Sequence, residues 1–403
     1  MTAMSLLARF DRDRRYRESP AGRALAGGKM RAIDRRYRIY CIASFMNSAG
    51  AQEALVRVAK QLRLRGHETQ VRFLYKKKSV FADDAAVKTV SNKPTLSALG
   101  HLRVFWKLAQ ELRRERPDAV ICFMPLGTVM GCLAAALAGV PVRIASQRAP
   151  GPTFGRAMRI LDRLWGSSFL YSKIVCVSQA VQDSFASYSG RYRDKIQVVH
   201  NGISWQPSVL TKQQARAKFH LPQDKLLFVA AGRLSHQKYY QFMLARIRDV
   251  AEATLVIAGD GEDRPELEAF IKANKLENRV YLLGALSHAD VVDLYAAADM
   301  FIQTSRYEGQ SNSTLEAMHA GLPIIVSDIE MQRETLCPSD GACVGILASL
   351  DEPDVWNRNM EQLISSEGLR ASLGEAARTY VEQSFSLKAM IDGFEGVVLE
   401  ACK

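Results

Sequence analysis

Features that mark secreted, membrane-spanning or metal-binding proteins are scarce in this sequence. The seven cysteines are odd in number and scattered, and several lie inside predicted strands, so they favour reduced thiols in a cytoplasmic protein over a disulfide framework. The seven histidines form no cluster of ligands, and no Asp-x-Asp pair lies among the predicted strands to hold a divalent cation. The N-terminus has no apolar core long enough for a secretory signal. We therefore expect a cytoplasmic protein without a bound metal.

One charge-free stretch of 24 residues, 119–142, is long enough to span a bilayer, but its composition argues against a span. Two prolines, Pro125 and Pro141, interrupt it together with three glycines. Such breaks predict a buried strand over 119–124 followed by a crossover helix over 128–138. We expect no transmembrane helix at this position.

Length and patterning predict two domains. At 403 residues the chain is long for a single core, and its hydrophobic content of 48% is ordinary for a globular protein. Buried strands alternate with amphipathic helices in both halves, which predicts the α/β class with two doubly wound parallel sheets. The predicted division is a basic N-terminal extension (1–36), a first Rossmann-like domain (37–205), a second (206–385) and a final segment (386–403). Residues 1–29 fit either a disordered arm or a membrane tether.

Positive charge is concentrated in the first part of the chain. Residues 1–150 carry 28 lysines and arginines against 11 acidic residues, an excess of +17, whereas the remainder carries 26 against 31. A predicted helix over 101–115 combines apolar side chains with Arg103, Lys107 and Arg113, a composition typical of helices on anionic membrane surfaces. A core helix with a solvated edge is the alternative. No nucleic-acid-binding motif accompanies the basic clusters, so we expect a membrane surface as partner and no nucleic acid.

Two carboxylates, Glu308 and Glu316, lie around a predicted helix start. Residues 299–304 predict a buried strand and residues 323–327 the next, with a helix of roughly two turns between them. In such a unit the loop after the strand lines the ligand crevice, and the first N–H groups of the helix form an anion site. This arrangement suits a sugar nucleotide. For Glu316 a structural alternative exists, because Ser313 and Glu316 also fit a capping box that needs no ligand.

A second pattern, at 229–238, ends a buried strand with Gly232 and places two cations after it. Gly232 allows the chain to turn closely, Arg233 can grip phosphate oxygens with its forked guanidinium, and Lys238 supplies a point charge. His236 lies in the same loop. Together with the Glu308 loop, these residues predict a site for a diphosphate.

These segments, with the Gly-Asp-Gly motif at 259–261 between them, resemble the group 1 glycosyltransferases, family 4, which are retaining enzymes of the GT-B fold. The resemblance extends to 64–68, 177–181 and 198–203, and so covers most of the chain. It implies two Rossmann-like domains facing across a cleft, the first on the acceptor side and the second binding a nucleotide sugar. It also implies a C-terminal helix that returns to the first domain.

By this resemblance, Arg233 and Lys238 hold the donor diphosphate, Glu316 the ribose hydroxyls and Glu308 the transferred sugar. Glu308, Arg233 and Lys238 are then the catalytic residues. The donor site as a whole comprises Gly232, Arg233, Lys238, Gly259, Gly261, Glu308, Gly309, Gln310, Ser311, Asn312, Ser313, Thr314, Leu315 and Glu316.

Three segments depart from the family pattern. Gln310 and Ser311 replace an apolar residue followed by Pro or Gly, so the identity of the sugar does not carry over. The first Gly-rich loop keeps Gly50 alone for a close approach to phosphate. Gln147 and Arg148 stand where the family commonly has a His after the fourth strand, and either residue could contact the acceptor or the donor. For Arg148 a solvated surface charge is the alternative. We assign Gly50 and Arg148 to the acceptor or phosphate side of the site.

The expected protein is a retaining glycosyltransferase of the hexosyltransferase type. It would move a sugar from a nucleoside-diphosphate donor, with UDP favoured, to a lipid-linked saccharide at the inner face of the cell membrane, in glycan or polysaccharide biosynthesis. Fixed donors can neutralise the leaving diphosphate without a metal cofactor. Retention rests on the resemblance alone, and a double displacement through Glu308 stays open. The alternatives are a GT-B-fold sugar-nucleotide epimerase or hydrolase and an inactive sugar-nucleotide-binding protein.

Overall fold

The computed structural model describes residues 35–47, 50–78, 80–81, 84–94, 97–339 and 341–403. The predicted N-terminal extension lies almost entirely outside these residues, and so does the interpretation of residues 1–29 as an arm or a tether. Two parallel sheets organise the described part of the chain. The predicted fold class, two Rossmann-like α/β domains, is confirmed.

The first domain is built on a seven-stranded parallel sheet. Its strands are β1 (Arg38–Met46), β2 (Glu68–Lys76), β3 (Val87–Ser91), β4 (Ala119–Phe123), β5 (Val142–Gln147), β6 (Lys173–Cys176) and β7 (Ile196–Val198). They lie in the order β3-β2-β1-β4-β5-β6-β7, so successive strands are added on one side of β1 up to β3 and on its other side from β4 onward. All five residues of the central strand β4 are buried, as an apolar strand covered on both faces requires.

Helices cover both faces of this sheet. The first-domain helices are α1 (Gly50–Leu64), α2 (Ala98–Glu115), α3 (Pro125–Leu137), α4 (Arg156–Ser167), α5 (Gln179–Asp183) and α6 (Gly190–Arg193). One face packs against α1, and the other packs against α2, α3 and α4. Helix α2 begins at Ala98 because the hydroxyl of Ser97 accepts a hydrogen bond from the N–H of Gly100.

The charge-free stretch at 119–142 forms β4 and α3, as the sequence predicts. Both elements lie in the first domain, and α3 packs against β1 and β4. Within the described residues, no helix is both long enough and apolar enough to cross a membrane.

The second domain repeats the design with six parallel strands. They are β8 (Leu227–Ala231), β9 (Thr254–Ala258), β10 (Val280–Gly284), β11 (Met300–Gln303), β12 (Ile324–Ser327) and β13 (Ile346–Ala348), in the order β10-β9-β8-β11-β12-β13. Its helices are α7 (Lys212–Lys218), α8 (Tyr240–Asp249), α9 (Arg264–Ala273), α10 (His288–Ala297), α11 (Asn312–His319), α12 (Glu330–Leu336), α13 (Pro353–Ser365) and α14 (Glu367–Ser384). The carboxyl ends of β8 and β11 are neighbours, so the loops after them meet at one edge of the sheet.

The last helix, α15 (Leu387–Ala401), packs on the first domain. Its residues Met390, Ile391 and Phe394 are buried, and the ring of Phe394 lies 5.9 Å from that of Phe123 in β4. The chain thus crosses between the domains twice, and the crossings touch where Ile203 pairs with Ser386. A Cβ atom on Gly202 would lie 2.1 Å from the carbonyl oxygen of Ser386, so only glycine permits this contact.

A carboxylate of the second domain also joins the two domains. Glu334 of α12 accepts hydrogen bonds from the N–H groups of Gln179 and Ala180, at 2.6 and 2.8 Å, and so caps α5 of the first domain. His200 contacts the same carboxylate at 2.7 Å. Burial alone would raise the pKa of Glu334, but these hydrogen bonds lower it overall. The domains are therefore in direct polar contact on this side of the cleft.

The expectation of seven reduced cysteines is wrong for one pair. Cys337, after α12, and Cys343, before β13, form a disulfide with their Cα atoms 4.0 Å apart. The two cysteines are six positions apart in the sequence. An odd number of cysteines does not exclude such a pair. The other five are free, and Cys41, Cys122, Cys132 and Cys176 are buried among apolar residues.

Candidate active site

The loop from β11 to α11 is held by a serine at its end. Helix α11 starts at Asn312, and the Ser311 hydroxyl accepts a hydrogen bond from the N–H of Thr314 at 3.3 Å. The predicted capping box of Ser313 and Glu316 is therefore wrong, and Glu316 lies in the second turn of the helix. The backbone carbonyl of Ser311 accepts a hydrogen bond from the N–H of Leu315. Among the described residues, the N–H groups of Asn312 and Ser313 have no hydrogen-bond partner, and these are the ones available to an anion.

Glu308 lies in this loop as a buried and fully engaged carboxylate. Its Oε1 contacts Lys238 Nζ at 2.7 Å and accepts hydrogen bonds from Ser305 and Gln303 at 2.7 and 3.0 Å. Gln237 donates to Oε2 at 3.4 Å. The structure thus brings together two of the predicted catalytic residues, Glu308 and Lys238. Such a set of donors holds the carboxylate in one orientation.

Gln303, at the end of β11, holds the loop between β11 and α11 through hydrogen bonds of its side-chain amide. Its amide nitrogen donates to Glu308, and its amide oxygen accepts hydrogen bonds from the hydroxyls of Ser311, Ser313 and Thr314, at 2.8, 3.2 and 3.3 Å. One buried side chain therefore fixes both the predicted sugar-contacting carboxylate and the start of α11.

Arg233 stands in a different environment from Lys238. Its guanidinium is 65% exposed and pairs with the exposed Glu262, at 2.9 Å between Nη2 and Oε2. Gly232, directly before it, has φ +151°, a value open to glycine, and its carbonyl accepts a hydrogen bond from the hydroxyl of Tyr240 at 3.2 Å. The backbone is thus fixed while the Arg233 side chain remains accessible to a ligand.

Gly259 and Gly261 have a packing role in this structure. A Cβ atom on Gly259 would lie 1.8 Å from the carbonyl oxygen of Gly232, and one on Gly261 would lie 2.1 Å from that of Leu234. The loop after β9 can therefore rest directly on the loop after β8. These two glycines shape the predicted donor site by close packing of its backbone, and their contact with a ligand stays a prediction.

Glu316 is 7% exposed and has few polar neighbours. The Nδ1 atom of His288 lies 3.9 Å from its Oε1. Burial raises the pKa of the Glu316 carboxyl to about 7, although Arg57 of α1 acts to lower it. A buried carboxylate without strong partners is costly for the folded chain. This is the expected state of a group whose hydrogen-bonding partners are the hydroxyls of a ligand.

The first domain reaches the same loop. A Cβ atom on Gly309 would lie 2.0 Å from the carbonyl oxygen of Arg148, and the Ser178 hydroxyl donates to the Gly309 carbonyl at 2.8 Å. Asn312 donates weakly to the carbonyl of Gly50, at 3.4 Å. The starts of α1 and α11 therefore face each other across the cleft.

Asn201 connects these groups at the floor of the cleft. It bonds to Gln310 through its backbone N–H at 2.6 Å and to Asn312 through its amide at 2.9 Å, and it accepts a hydrogen bond from Arg148. Two buried nitrogens of this group, Nη1 of Arg148 and Nε2 of Gln310, lack a hydrogen-bond partner in the described part of the chain. Buried donors left unpaired beside the cleft are available to an acceptor from outside the chain.

Gln147 does not belong to this group. Its amide nitrogen donates to Asp162 and contacts the hydroxyl of Tyr192, at 2.7 and 3.0 Å, inside the first domain. Of the two residues at the end of β5, only Arg148 takes part in the cleft.

Two family models match the chain in succession. Residues 48–205 match the model described as glycosyltransferase family 4, and residues 211–380 match the one described as glycosyl transferases group 1. The chain belongs to the group 1 glycosyltransferases. The predicted family is therefore confirmed, and each model coincides closely with one of the two parallel-sheet domains.

Similar sequences carry glycosyltransferase names. An uncharacterized glycosyltransferase of Methanocaldococcus jannaschii is 26% identical over 228 residues, which are 55% of this chain and 58% of the relative. A UDP-Gal:alpha-D-GlcNAc-diphosphoundecaprenol alpha-1,3-galactosyltransferase of Escherichia coli is 24% identical over 76% of this chain and 81% of the relative. The chain spans between 29 and 58% of the lengths of the first four curated relatives.

Solved structures confirm the fold of this family member over most of its length. HepE of Anabaena, in complex with UDP-glucose, superposes with a TM-score of 0.80 at 21% identity, covering 91% of this chain and all of that one. The similarity covers both domains and so includes their arrangement across the cleft.

Four polar residues at this site were not predicted from the sequence. Gln303 and Gln237 orient Glu308, while Asn201 and Arg57 approach the site from the interdomain crossing and from α1. A polar residue at the end of an otherwise apolar strand is the signal that singles out Gln303. Arg57 carries no such signal, because an arginine on an amphipathic helix is ordinarily solvated.

Proposed function

We propose that this chain transfers a sugar from a nucleoside-diphosphate donor to a saccharide acceptor, with retention and with a UDP-sugar as donor. The observation that supports this most is the buried pair of Glu308 and Lys238, fixed by Gln303 beside the open N–H groups of α11. The HepE structure holds UDP-glucose and the E. coli relative is named for a UDP-galactose donor, which favours UDP here.

The geometry suits departure of a diphosphate. The bond between the sugar carbon and the phosphate oxygen breaks with its electron pair on that oxygen. Arg233, Lys238 and the N–H groups of Asn312 and Ser313 are donors that face such a charge, so they stabilise the transition state more than the ground state. The acceptor hydroxyl forms the new bond and gives its proton to the departing phosphate. Glu308, held at Oε1 by three donors, is better placed to hydrogen-bond the sugar than to attack it.

The acceptor side offers unsatisfied donors. Nη1 of Arg148 and Nε2 of Gln310 are buried without partners, and burial together with the neighbouring Arg57 lowers the pKa of Arg148. A phosphate-bearing acceptor would supply hydrogen-bond acceptors for both nitrogens and a negative charge beside Arg148. This supports a lipid-linked saccharide as acceptor, the class named for the E. coli relative, and with it a peripheral place on the inner face of the cell membrane.

Replacing Arg233 with alanine should weaken donor binding without destabilising the fold. The charged hydrogen bond that it would make to phosphate is worth about 1.5–3 kcal/mol, or roughly ten- to 150-fold in the dissociation constant. Titration calorimetry with a panel of UDP-, GDP- and ADP-sugars, without metal, measures it. The matched control is Arg248→Ala, which removes an exposed arginine paired with Asp249 on α8. Equal donor affinity in wild type and Arg233→Ala would show that Arg233 does not hold the diphosphate.

Transfer should need no metal ion, because Arg233, Lys238 and the helix N–H groups supply the charge that a cation would otherwise supply. We expect the rate of nucleoside-diphosphate release to be the same after EDTA treatment and after addition of magnesium or manganese. Loss of activity in EDTA with recovery on adding either ion would contradict this expectation. A control transferase with known metal dependence, treated in parallel, verifies the chelation.

The alternatives differ in what they do without an acceptor. An epimerase or hydrolase would convert or cleave the donor in its absence, and an inactive binding protein would bind it with no turnover in any condition. The transferase proposal requires donor turnover that depends on an added acceptor fraction. Measuring donor consumption with and without extracted membrane lipids separates the three.

A further inference from the structure

The large apolar side chains that the described structure leaves exposed are concentrated on one layer of helices. Nine such side chains are half exposed or more. Seven of them lie on α2, α3, α4 or the turn after α4: Leu99, Leu102, Trp106, Leu137, Ile160, Leu164 and Phe169. These three helices cover the same face of the first sheet, and α3 contacts both of the others. Exposed apolar side chains grouped in this way mark an interaction surface.

Helix α4 turns two of its apolar side chains, Ile160 and Leu164, outward for a structural reason, while Met158 and Trp165 pack against the core. Asp162 and Gly166 are its only buried residues. Asp162 accepts hydrogen bonds from Gln147 at 2.7 Å and from the hydroxyl of Tyr192 at 2.8 Å, and a Cβ atom on Gly166 would overlap the Tyr192 ring. These contacts fix which side of α4 faces the protein.

Ile160 and Leu164 lie on the opposite side of α4 from Asp162, because two residues along a helix correspond to a rotation of about 200°. They are 51% and 57% exposed, and Phe169, just beyond the helix, is 76% exposed. The helix therefore buries a polar contact and presents an apolar ridge.

Cations surround this ridge. Arg156, Arg159 and Arg163 of α4 are exposed, and α2 presents exposed Arg103 and Lys107 beside Trp106. The acidic residue of α4 is the buried Asp162. Apolar side chains among exposed cations are typical of a surface that lies on an anionic bilayer, with the apolar groups in the headgroup layer and the cations at lipid phosphates. A second copy of the same surface would meet like charges, which disfavours self-association.

We propose that α2, α3 and α4 together form a membrane-docking face, with Ile160, Leu164 and Phe169 as its apolar anchor, and that its partner is an anionic lipid bilayer. The inference rests on the proposed function only in placing the acceptor at a membrane. The chain between Arg148 in the cleft and Arg156 at the start of α4 is short, so docking through α4 would hold the acceptor side of the cleft near the lipid surface.

Vesicle flotation of the full chain tests the proposal. The vesicles are phosphatidylcholine alone or phosphatidylcholine with about one third phosphatidylglycerol, because anionic headgroups should attract the face. The triple variant I160S/L164S/F169S should lose at least about tenfold in its partition onto anionic vesicles, since each apolar group contributes in proportion to the area it buries. The control is L64S/V209S, which replaces two apolar residues outside the face that are 72% and 96% exposed.

A second variant tests the charge requirement separately. R156Q/R159Q/R163Q should reduce binding to anionic vesicles at low salt, and the difference from wild type should shrink as salt is added. Thermal unfolding of both variants should match wild type, because the replaced groups are exposed. If I160S/L164S/F169S and L64S/V209S lose vesicle binding to the same extent, the proposal that this face is the docking surface is wrong.

Failure of wild type to bind vesicles, or flotation unchanged in I160S/L164S/F169S, overturns the proposal. The second result would place the membrane contact elsewhere in the chain. If instead the apolar triple variant converts an oligomer to a monomer in solution with no change in flotation, the face is a self-association surface and the proposal is wrong. Calorimetric binding of a sugar nucleotide without lipid reports on the proposed function alone, so the two can fail independently.

Discussion

Glu308→Gln is expected to lower the rate of nucleoside-diphosphate release by at least about a hundredfold, which is the usual effect of removing a group that stabilises the transition state. The amide keeps the shape of the side chain and loses the negative charge beside the transferred sugar. Donor affinity should change far less, because Arg233 and the open N–H groups of α11 remain. The assay uses the sugar nucleotide that calorimetry selects and extracted membrane lipids as the acceptor source.

This substitution also leaves Lys238 buried without its counter-ion, and breaking a buried pair costs about 3–5 kcal/mol of folding stability. Thermal unfolding must therefore be measured beside activity. The double variant Glu308→Gln/Lys238→Met, which removes both charges, shows by its thermal unfolding whether the unpaired Lys238 causes a loss of stability. Its activity does not bear on Glu308, because Lys238 is itself assigned to the diphosphate. Glu375→Gln, an exposed change on α14, is the control. Near wild-type turnover in a folded Glu308→Gln protein would exclude Glu308 from catalysis.

Glu316→Gln should have opposite effects on stability and on donor binding. Burial raises the pKa of Glu316 from 4.5 to about 7, so between these values the folded chain binds more protons than the unfolded one and its stability falls as pH rises. Above pH 7 the buried charge costs up to about 3 kcal/mol. The glutamine variant should therefore unfold at a higher temperature than wild type near neutral and alkaline pH, with the difference shrinking towards acidic pH.

Donor affinity should fall in the same variant, by about tenfold or more, because a charged acceptor for the ribose hydroxyls becomes neutral. For wild type the affinity should also fall as pH drops below 7 and Glu316 takes up a proton. Differential scanning calorimetry and titration calorimetry across this pH range measure both effects, with Glu361→Gln on α13 as an exposed control. A variant that is less stable than wild type at alkaline pH would show that Glu316 has a structural role instead.

The fold could be predicted because the sequence patterns that indicate its strands and helices are local. Strands such as β4 and β8 are short apolar runs bounded by turn residues, and the alternation with helices fixes the parallel design. The start of α11 could not be predicted as reliably, since Ser311 and Ser313 both fit a cap. In the structure Ser311 is the cap, and the loop before it contacts the other domain where Gly309 lies against Arg148, which the local sequence does not reveal.

The site residues that the sequence did not predict have one feature in common: their roles depend on tertiary contacts. Gln303 becomes important because three hydroxyls and one carboxylate converge on its amide, and that convergence comes from the meeting of β11 with the loop after it. Arg57 and Asn201 reach the site only once the domains are in contact. The orientation of helix α4 also depends on tertiary contacts. Ile160 and Leu164 are apolar, yet Asp162 and Gly166 lie on the inward side of the helix.

Helix α15 has a consequence for the order in which this chain can acquire its structure. Protein domains usually fold as units during synthesis, the N-terminal one first. Here Met390, Ile391 and Phe394 of α15 fill the core beneath β4, so the first domain lacks part of its interior until α15 has been made. The ribosome must deliver the whole second domain before that gap is closed. A nascent chain at mid-length therefore exposes the apolar groove that α15 later covers.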